Sequence, residues 1–175
     1  WGASLAYPND RLEATLSYSE IGRDFRPALG FANRTGIAEL LGAYAYRHRF
    51  EKGGFLRSWR HGMEASEVRD DVGRLESRRF VIMPFSLDNQ PGDTLSMDLE
   101  RQTEVIRRPF VLPGGVRVPV GRYDFDRVRL VGQTAGFRPF ALNWDLGTGD
   151  FYDGTRDDAR VGVNWRPNRH WALGT

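Results

Sequence analysis

Apolar residues recur at every second position through most of this chain. Trp1, Ala3, Leu5 and Tyr7 alternate with Gly2, Ser4 and Ala6; after the turn Pro8-Asn9-Asp10, Leu12, Ala14, Leu16 and Tyr18 alternate with Arg11, Glu13, Thr15 and Ser17. A period of two belongs to a strand with one apolar and one polar face, so this opening predicts a hairpin. From Ile37 to Arg47 both parities are small or apolar, Leu40, Gly42, Tyr44 and Tyr46 against Leu41, Ala43 and Ala45. A K-G-G turn at 52–54 precedes a strand from Phe55 to Val68 with mixed faces, and a D-D-V-G turn at 70–73 precedes one from Leu75 to Leu87. There Phe80 and Ile82 stand against Val81, Met83 and Phe85, and Pro84, which cannot donate to a ladder, marks a bulge, an edge or a break.

The turn N-Q-P-G-D at 89–93 leads into the most one-sided strand, Leu95, Met97 and Leu99 against Thr94, Ser96, Asp98 and Glu100, running towards Arg107. After L-P-G-G at 112–115, the residues Val116, Val118, Pro119, Val120 and Gly121 predict an extended lip. Tyr123 to Thr134 is a further strand whose apolar parity slips between Phe125 and Val128, which implies a bulge or a change of lining. Phe140, Leu142, Trp144 and Leu146, then Ala159, Val161, Val163 and Trp165, give two more strands, and W-A-L-G-T begins another. About nine strands joined mostly by short turns predict an all-β fold. Its architecture is an antiparallel up-and-down meander forming a β-barrel or a curved open part of one. Residues 1–175 read as a single barrel segment, a piece of a longer chain.

One stretch interrupts the alternation: Tyr18 to Gly36, Y-S-E-I-G-R-D-F-R-P-A-L-G-F-A-N-R-T-G. Gly22 and Gly30 open backbone angles closed to other residues, and Pro27 fixes its own φ and turns Arg26 away from helix. Ile21, Phe25, Leu29 and Phe31 are too apolar for a solvated loop. The expectation is a structured loop over 18–36 that folds inward, buries its aromatics, and plugs the end of the sheet or faces a ligand.

Composition narrows the chemistry. No apolar run approaches the roughly eighteen residues of a transmembrane helix, whereas a transmembrane strand needs only about ten with every second one apolar. Basic and acidic residues number 25 and 23 and are interspersed, as in Arg69-Asp70-Asp71 and Arg156-Asp157-Asp158. That reads as a mixed polar face rather than a nucleic-acid footprint. Lys52 is the only lysine, so guanidinium carries the cationic chemistry. With 0 cysteines there is no disulfide, thiolate catalysis or cysteine-based metal site. His48, His61 and His170 lack metal-ligand spacing, and the motifs of serine-hydrolase elbows, P-loops and zincins are absent. The acidic run Asp145, Asp150, Asp153, Asp157 and Asp158 misses the calcium-loop spacing, R-R-F-V-I-M-P-F at 78–85 lacks the glycine of an RNA-binding strand, and the Asn33-Arg34-Thr35 sequon matters only in a eukaryotic secretory setting. The expectation is no enzyme, no cofactor, no metal and no nucleic-acid partner.

The order Y-S-E-I-G-R-D-F-R-P-A-L-G-F-A-N-R-T-G, E-R-Q-T-E, R-V-P-V-G-R-Y-D-F-D-R-V-R-L, G-D-F-Y-D-G-T-R and V-N-W-R-P-N resembles the C-terminal region of the DUF5916 family over nearly the whole chain. These are bacterial outer-membrane-type proteins in which a carbohydrate-binding family-9-like sandwich precedes a β-barrel. The most specific pieces are Ile21, Gly22, Asp24, Phe25, Pro27, Gly30, Phe31 and Arg34 in a candidate functional loop, and Gly149, Asp150, Phe151, Tyr152, Asp153 and Gly154 in a candidate turn motif. Phe31-Ala32-Asn33-Arg34 departs slightly from the family's wording.

The resemblance implies the outer membrane of a Gram-negative cell, lipid as a partner, and a polar or carbohydrate ligand bound through an upstream domain. It supplies no catalytic residue. Two readings follow. In one, apolar parity faces lipid and Arg/Asp/Glu parity lines a polar lumen. In the other, a soluble β-sandwich or small barrel binds a ligand on its aromatic residues. Leu12, Leu16, Leu95, Leu99, Val161 and Val163 lie on an exposed outer surface in the first and in a shared interior in the second. The aromatics near strand ends, Trp1, Tyr7, Tyr18, Tyr46 and Trp165, suit either.

Overall fold

A computed structural model describes residues 1–26, 34–51 and 54–174. Ten strands form one antiparallel sheet in the order β1-β2-β3-β4-β5-β6-β9-β10-β11-β12, all hairpin neighbours except β6 and β9. They are β1 (Gly2–Tyr7), β2 (Leu12–Ile21), β3 (Ile37–Arg49), β4 (Leu56–Asp70), β5 (Leu75–Asn89), β6 (Thr94–Ile106), β9 (Gly121–Gln133), β10 (Phe140–Phe151), β11 (Gly154–Asn168) and β12 (Trp171–Gly174). Between β6 and β9 a small hairpin pairs β7 (Phe110–Val111) with β8 (Arg117–Val118). The sheet is open, since β1 and β12 do not touch. One rim carries the turns at 8–11, 50–55, 90–93, 134–139 and 169–170; the opposite, upper rim carries 22–36, 71–74, 107–120 and 152–153. No helix of the described residues is long and apolar enough to cross a membrane, which leaves strands untouched by the criterion.

Directly opposed residues of an antiparallel pair point to the same side, so the register sorts the chain into two faces. Leu5, Leu16, Gly42, Ala65 and Phe80 form one row across β1 to β5. Leu99, Val128 and Thr148 continue that side across β6, β9 and β10, one level from Met97, Leu130, Leu146 and Ala159. The apolar parities of all the long strands thus fall on one side. Above them on the same side stand Glu20, Glu67, Arg78, Arg101, Asp126 and Asp157, and at the lower turns Asp10, His48, Asn89 and Asp93.

Two irregular passages keep this sorting intact. At Pro84 the β5–β6 register shifts between Ile82 and Phe85, as its missing N–H requires. The bulge reverses parity, so Phe85 and Leu87 join Phe80 and Ile82 on the apolar side instead of opposing them. In β9 the pairing is continuous through Phe125 to Val128, so the apolar slip is a change of lining and not a bulge. Val128 lies on the apolar side, while Phe125 points to the polar side, where it is 5% exposed beneath other aromatics.

The strand count exceeds the expected nine because the tail at Trp171 pairs with β11. Tyr18 to Ile21 is strand as well, because its backbone pairs with Ile37 to Leu40 although the apolar alternation ends at Tyr18. The loop proper therefore begins at Gly22.

The lower rim is tied by Asp93. Its carboxylate accepts from Asn89 Nδ2 at 2.7 Å, Ala135 N at 2.7 Å and Arg138 Nη2 at 2.6 Å, joining the β5–β6 turn to the β9–β10 loop. The Asn89 and Ala135 bonds, with the Arg138 charge, hold its carboxyl below the ordinary range. A depressed native value stabilises the fold above the unfolded value of about 3.9 and loses that contribution as pH falls through the native one. Asp93→Asn is expected to lower the urea midpoint at neutral pH and to flatten the acid limb of stability against pH, both read by circular dichroism.

Candidate functional site

The polar side is where the sequence concentrates reactive chemistry, and ion pairs run along it from strand to strand. Arg60 on β4 donates to Glu13 on β2 at 2.8 Å, reaching across β3 where Ala43 and Ala45 face the same side. Arg79 on β5 is forked between Glu64 on β4 at 2.7 Å and Glu100 on β6 at 2.9 Å. Arg129 on β9 makes a two-point bond to Asp145 on β10, at 2.7 and 2.6 Å. Arg127 passes over Gly147 to Asp158 on β11 at 2.7 Å, and a Cβ at Gly147 would stand 3.7 Å from its guanidinium. Guanidinium suits these bridges because its planar fork serves two carboxylates at once.

Small residues beneath the pairs leave two hollows. One, of about 340 Å³, has Ala43, Ala45 and Gly62 as its floor and Glu13, Arg60 and Glu64 at its edge. The other, of about 170 Å³, is lined by Asp98, Arg129, Asp145, Asp158 and Arg160 among others. Arg79 and Asp98 border both. Among the described residues no group of three or more His, Asp or Glu is arranged to hold a metal ion.

At the upper rim the polar side is covered by an aromatic cluster. Tyr152 lies 4.8 Å from Phe151, 5.1 Å from Tyr123, 5.2 Å from Phe125 and 5.7 Å from Phe110, centroid to centroid. Its hydroxyl donates to Glu104 at 3.0 Å. Val118 of the small hairpin is 2% exposed, and Tyr123 ties that segment down by donating to the Pro119 carbonyl at 2.9 Å. Tyr152 has φ of 55°, a left-handed conformation that costs a bulky residue about 1–3 kcal/mol and persists where the surroundings hold it. Burial first, then the Glu104 bond, pushes its phenol up to about 12.

The turn motif is therefore built into this cluster. Gly149, with φ of 150°, lets β10 lie against β9: a Cβ there would run into the Asp126 carbonyl and the Arg127 backbone. Asp150 accepts from the Asp126 N–H at 3.1 Å, Phe151 stacks on Phe125 at 6.2 Å, and Phe151 pairs with Gly154 around the exposed Asp153.

The candidate loop is placed elsewhere on the same rim. Ile21 pairs with Ile37 and accepts from Gly36 N–H at 2.8 Å; Gly22 accepts from Phe25 N–H at 3.1 Å; Arg23 donates to Asp71 at 2.6 Å; Arg34 lies 3.8 Å from Glu76. Asp24 is exposed. Phe25 is 53% exposed and so departs from the expected burial, because the Arg23–Asp71 pair draws the loop's neck towards the 71–74 turn. Pro27, Gly30 and Phe31 lie outside the described residues. Strands β4, β5, β6 and β9 separate this loop from the turn motif along the sheet. Among the described residues, the segment that folds over the polar side is 107–120, for which the valines of the predicted lip were the available signal.

Comparison of the chain with protein-family models, with curated proteins and with solved structures finds no match.

Two substitutions separate backbone fit from side-chain packing. Gly149→Ala is expected to cost about 1–3 kcal/mol in urea unfolding, whereas Asp153→Ala stays within about 0.5 kcal/mol. For Tyr152, a raised native value means stability is complete below the unfolded value of about 10 and falls as pH rises towards the native one. Tyr152→Phe is expected to abolish that alkaline decline and to weaken the upper rim at neutral pH, measured as the dependence of the unfolding midpoint on pH.

Proposed function

We propose that this chain is part of the wall of an outer-membrane β-barrel, with its apolar side on lipid and its ion-paired side on an aqueous lumen. The observation that carries this reading is the apolar band bounded above and below by charged and polar residues on the same side. From Asp10 to Glu20 and from Asp93 to Arg101 the span is ten and eight residue steps. That is about 26–33 Å along a strand, or about 20–25 Å after a tilt near 40°, close to the roughly 25 Å band of barrel proteins. All 5 tryptophans, Trp1, Trp59, Trp144, Trp165 and Trp171, fall on the parity of that band, several near its edges.

The band is also largely uncovered. Leu16 is 53% and Val161 64% exposed, and the described residues contain one broad layer with no second sheet against it. This supports the lipid-facing reading over a soluble sandwich, which needs Leu12, Leu16, Leu95, Leu99, Val161 and Val163 between two layers. The DUF5916 resemblance points to the same setting, a Gram-negative outer membrane. The protein acts without catalysis, and its lumen passes or docks polar solutes brought there by the rest of the assembly. The hairpin at 107–120 narrows the upper end of that lumen.

Lipid contact is tested on the tryptophans. Folded into vesicles, the protein is expected to lose most of its tryptophan emission when the acyl chains carry bromine, and to run as a compact, heat-modifiable band on a gel. Emission indifferent to brominated lipid overturns the reading. Leu16→Arg, at the middle of the band, is expected to cost about 2–4 kcal/mol in vesicle folding, while Ser17→Arg on the opposite side costs under about 1 kcal/mol.

A further inference from the structure

Four charged residues stand on two neighbouring levels of the polar side, one on each of four adjacent strands: Asp98 on β6 and Arg129 on β9, then Asp145 on β10 and Arg160 on β11. The register pairs Asp98 with Arg129 and Asp145 with Arg160, as Cα partners, and leaves Arg129 and Asp145 diagonal to one another. The side chains do not follow the register. Arg129 gives its fork to Asp145 through two bonds, at 2.7 and 2.6 Å, and so leaves its directly opposed partner Asp98 without it. The same choice occupies both oxygens of Asp145, so Arg160 stands off at 3.7 Å with its side chain 82% exposed. Among the described residues the Asp98 carboxylate makes no hydrogen bond or ion pair, and both outer residues line the 170 Å³ hollow. The other charges there are committed: Arg127 and Arg156 to Asp158, Arg79 to Glu64 and Glu100.

One acceptor-only carboxylate and one donor-only guanidinium, the latter only loosely paired with Asp145, are thus left without a side-chain hydrogen bond across a shared hollow. We propose that this row is a binding site for a short zwitterion of the amino-acid class, its ammonium on Asp98 and its carboxylate on Arg160. Both charges border one hollow of about 170 Å³, which suits a small solute. An amino acid satisfies both ends, whereas a solute with a single charge satisfies one end and leaves the other unpaired. The site rests on the lumen reading, since only an aqueous polar side gives solute access to it.

The test uses the full chain folded in vesicles, with L-alanine as the probe and propionate and ethylammonium as single-charge controls, read by saturation-transfer nuclear magnetic resonance. Quenching by brominated lipid on the same samples reports whether the apolar side is in the bilayer. The expected result is saturation transfer to L-alanine with at most weak transfer to either control. Either Asp98→Asn or Arg160→Gln weakens it about tenfold, with tryptophan quenching unchanged. Normal quenching together with equal transfer to all three solutes, or with binding insensitive to both variants, overturns the site and leaves the barrel reading standing. Loss of quenching in the unaltered protein overturns both.

Discussion

A single layer of sheet has no interior of its own, and that constraint governs the rest of this structure. Among the described residues only Ala45, Val118, Phe125 and Ala135 are buried apolar residues, and three of these four lie under loops or beside turns at the rims. The broad apolar side between the rims therefore takes its surroundings as its partner. Register makes this consequential: a slip of one residue in any strand exchanges its apolar and charged sets. The bulge at Pro84 is the clearest case, because it is the irregularity that keeps Phe85 and Leu87 beside Ile82 rather than against the ion pairs.

The polar side solves a different problem. Arginines and carboxylates crowded on one surface repel or attract at short range, and here most are drawn into bridges that cross one or two strands. Exposed pairs contribute little individually, on the order of 0–1 kcal/mol, so their effect is to set side-chain positions more than to add stability. Small residues beneath them, Ala45, Gly62 and Gly147, decide where an arginine can lie down and where a hollow remains. The upper rim is organised by packing instead, with Tyr152 held in a left-handed conformation by four aromatic neighbours and Glu104.

Much of the fold was legible from alternation alone. The hairpin at the start, the one-sided strand after Asp93 and the last two long strands each announce their faces residue by residue, because the period of a strand is local and needs no partner. The glycines of the turn motif announced a tight connection. What could not be read was any feature that depends on which strand lies beside which. The bridges from Arg60 to Glu13 and from Arg127 to Asp158 join residues 47 and 31 positions apart. The aromatic cluster likewise gathers Phe110, Phe125 and Tyr152 from three separate segments.

By itself the sequence determined a chain of alternating strands, most with one apolar and one polar face, with arginine as almost its only cation. Those properties follow from backbone geometry and side-chain chemistry within a few residues. Tertiary structure alone decided that the faces align into one band, that Arg129 bonds Asp145 and leaves Asp98, and that the segment packing over the polar side is 107–120. Each of these is a choice among partners of similar chemistry, and such choices are settled by register, reach and steric room across neighbouring strands.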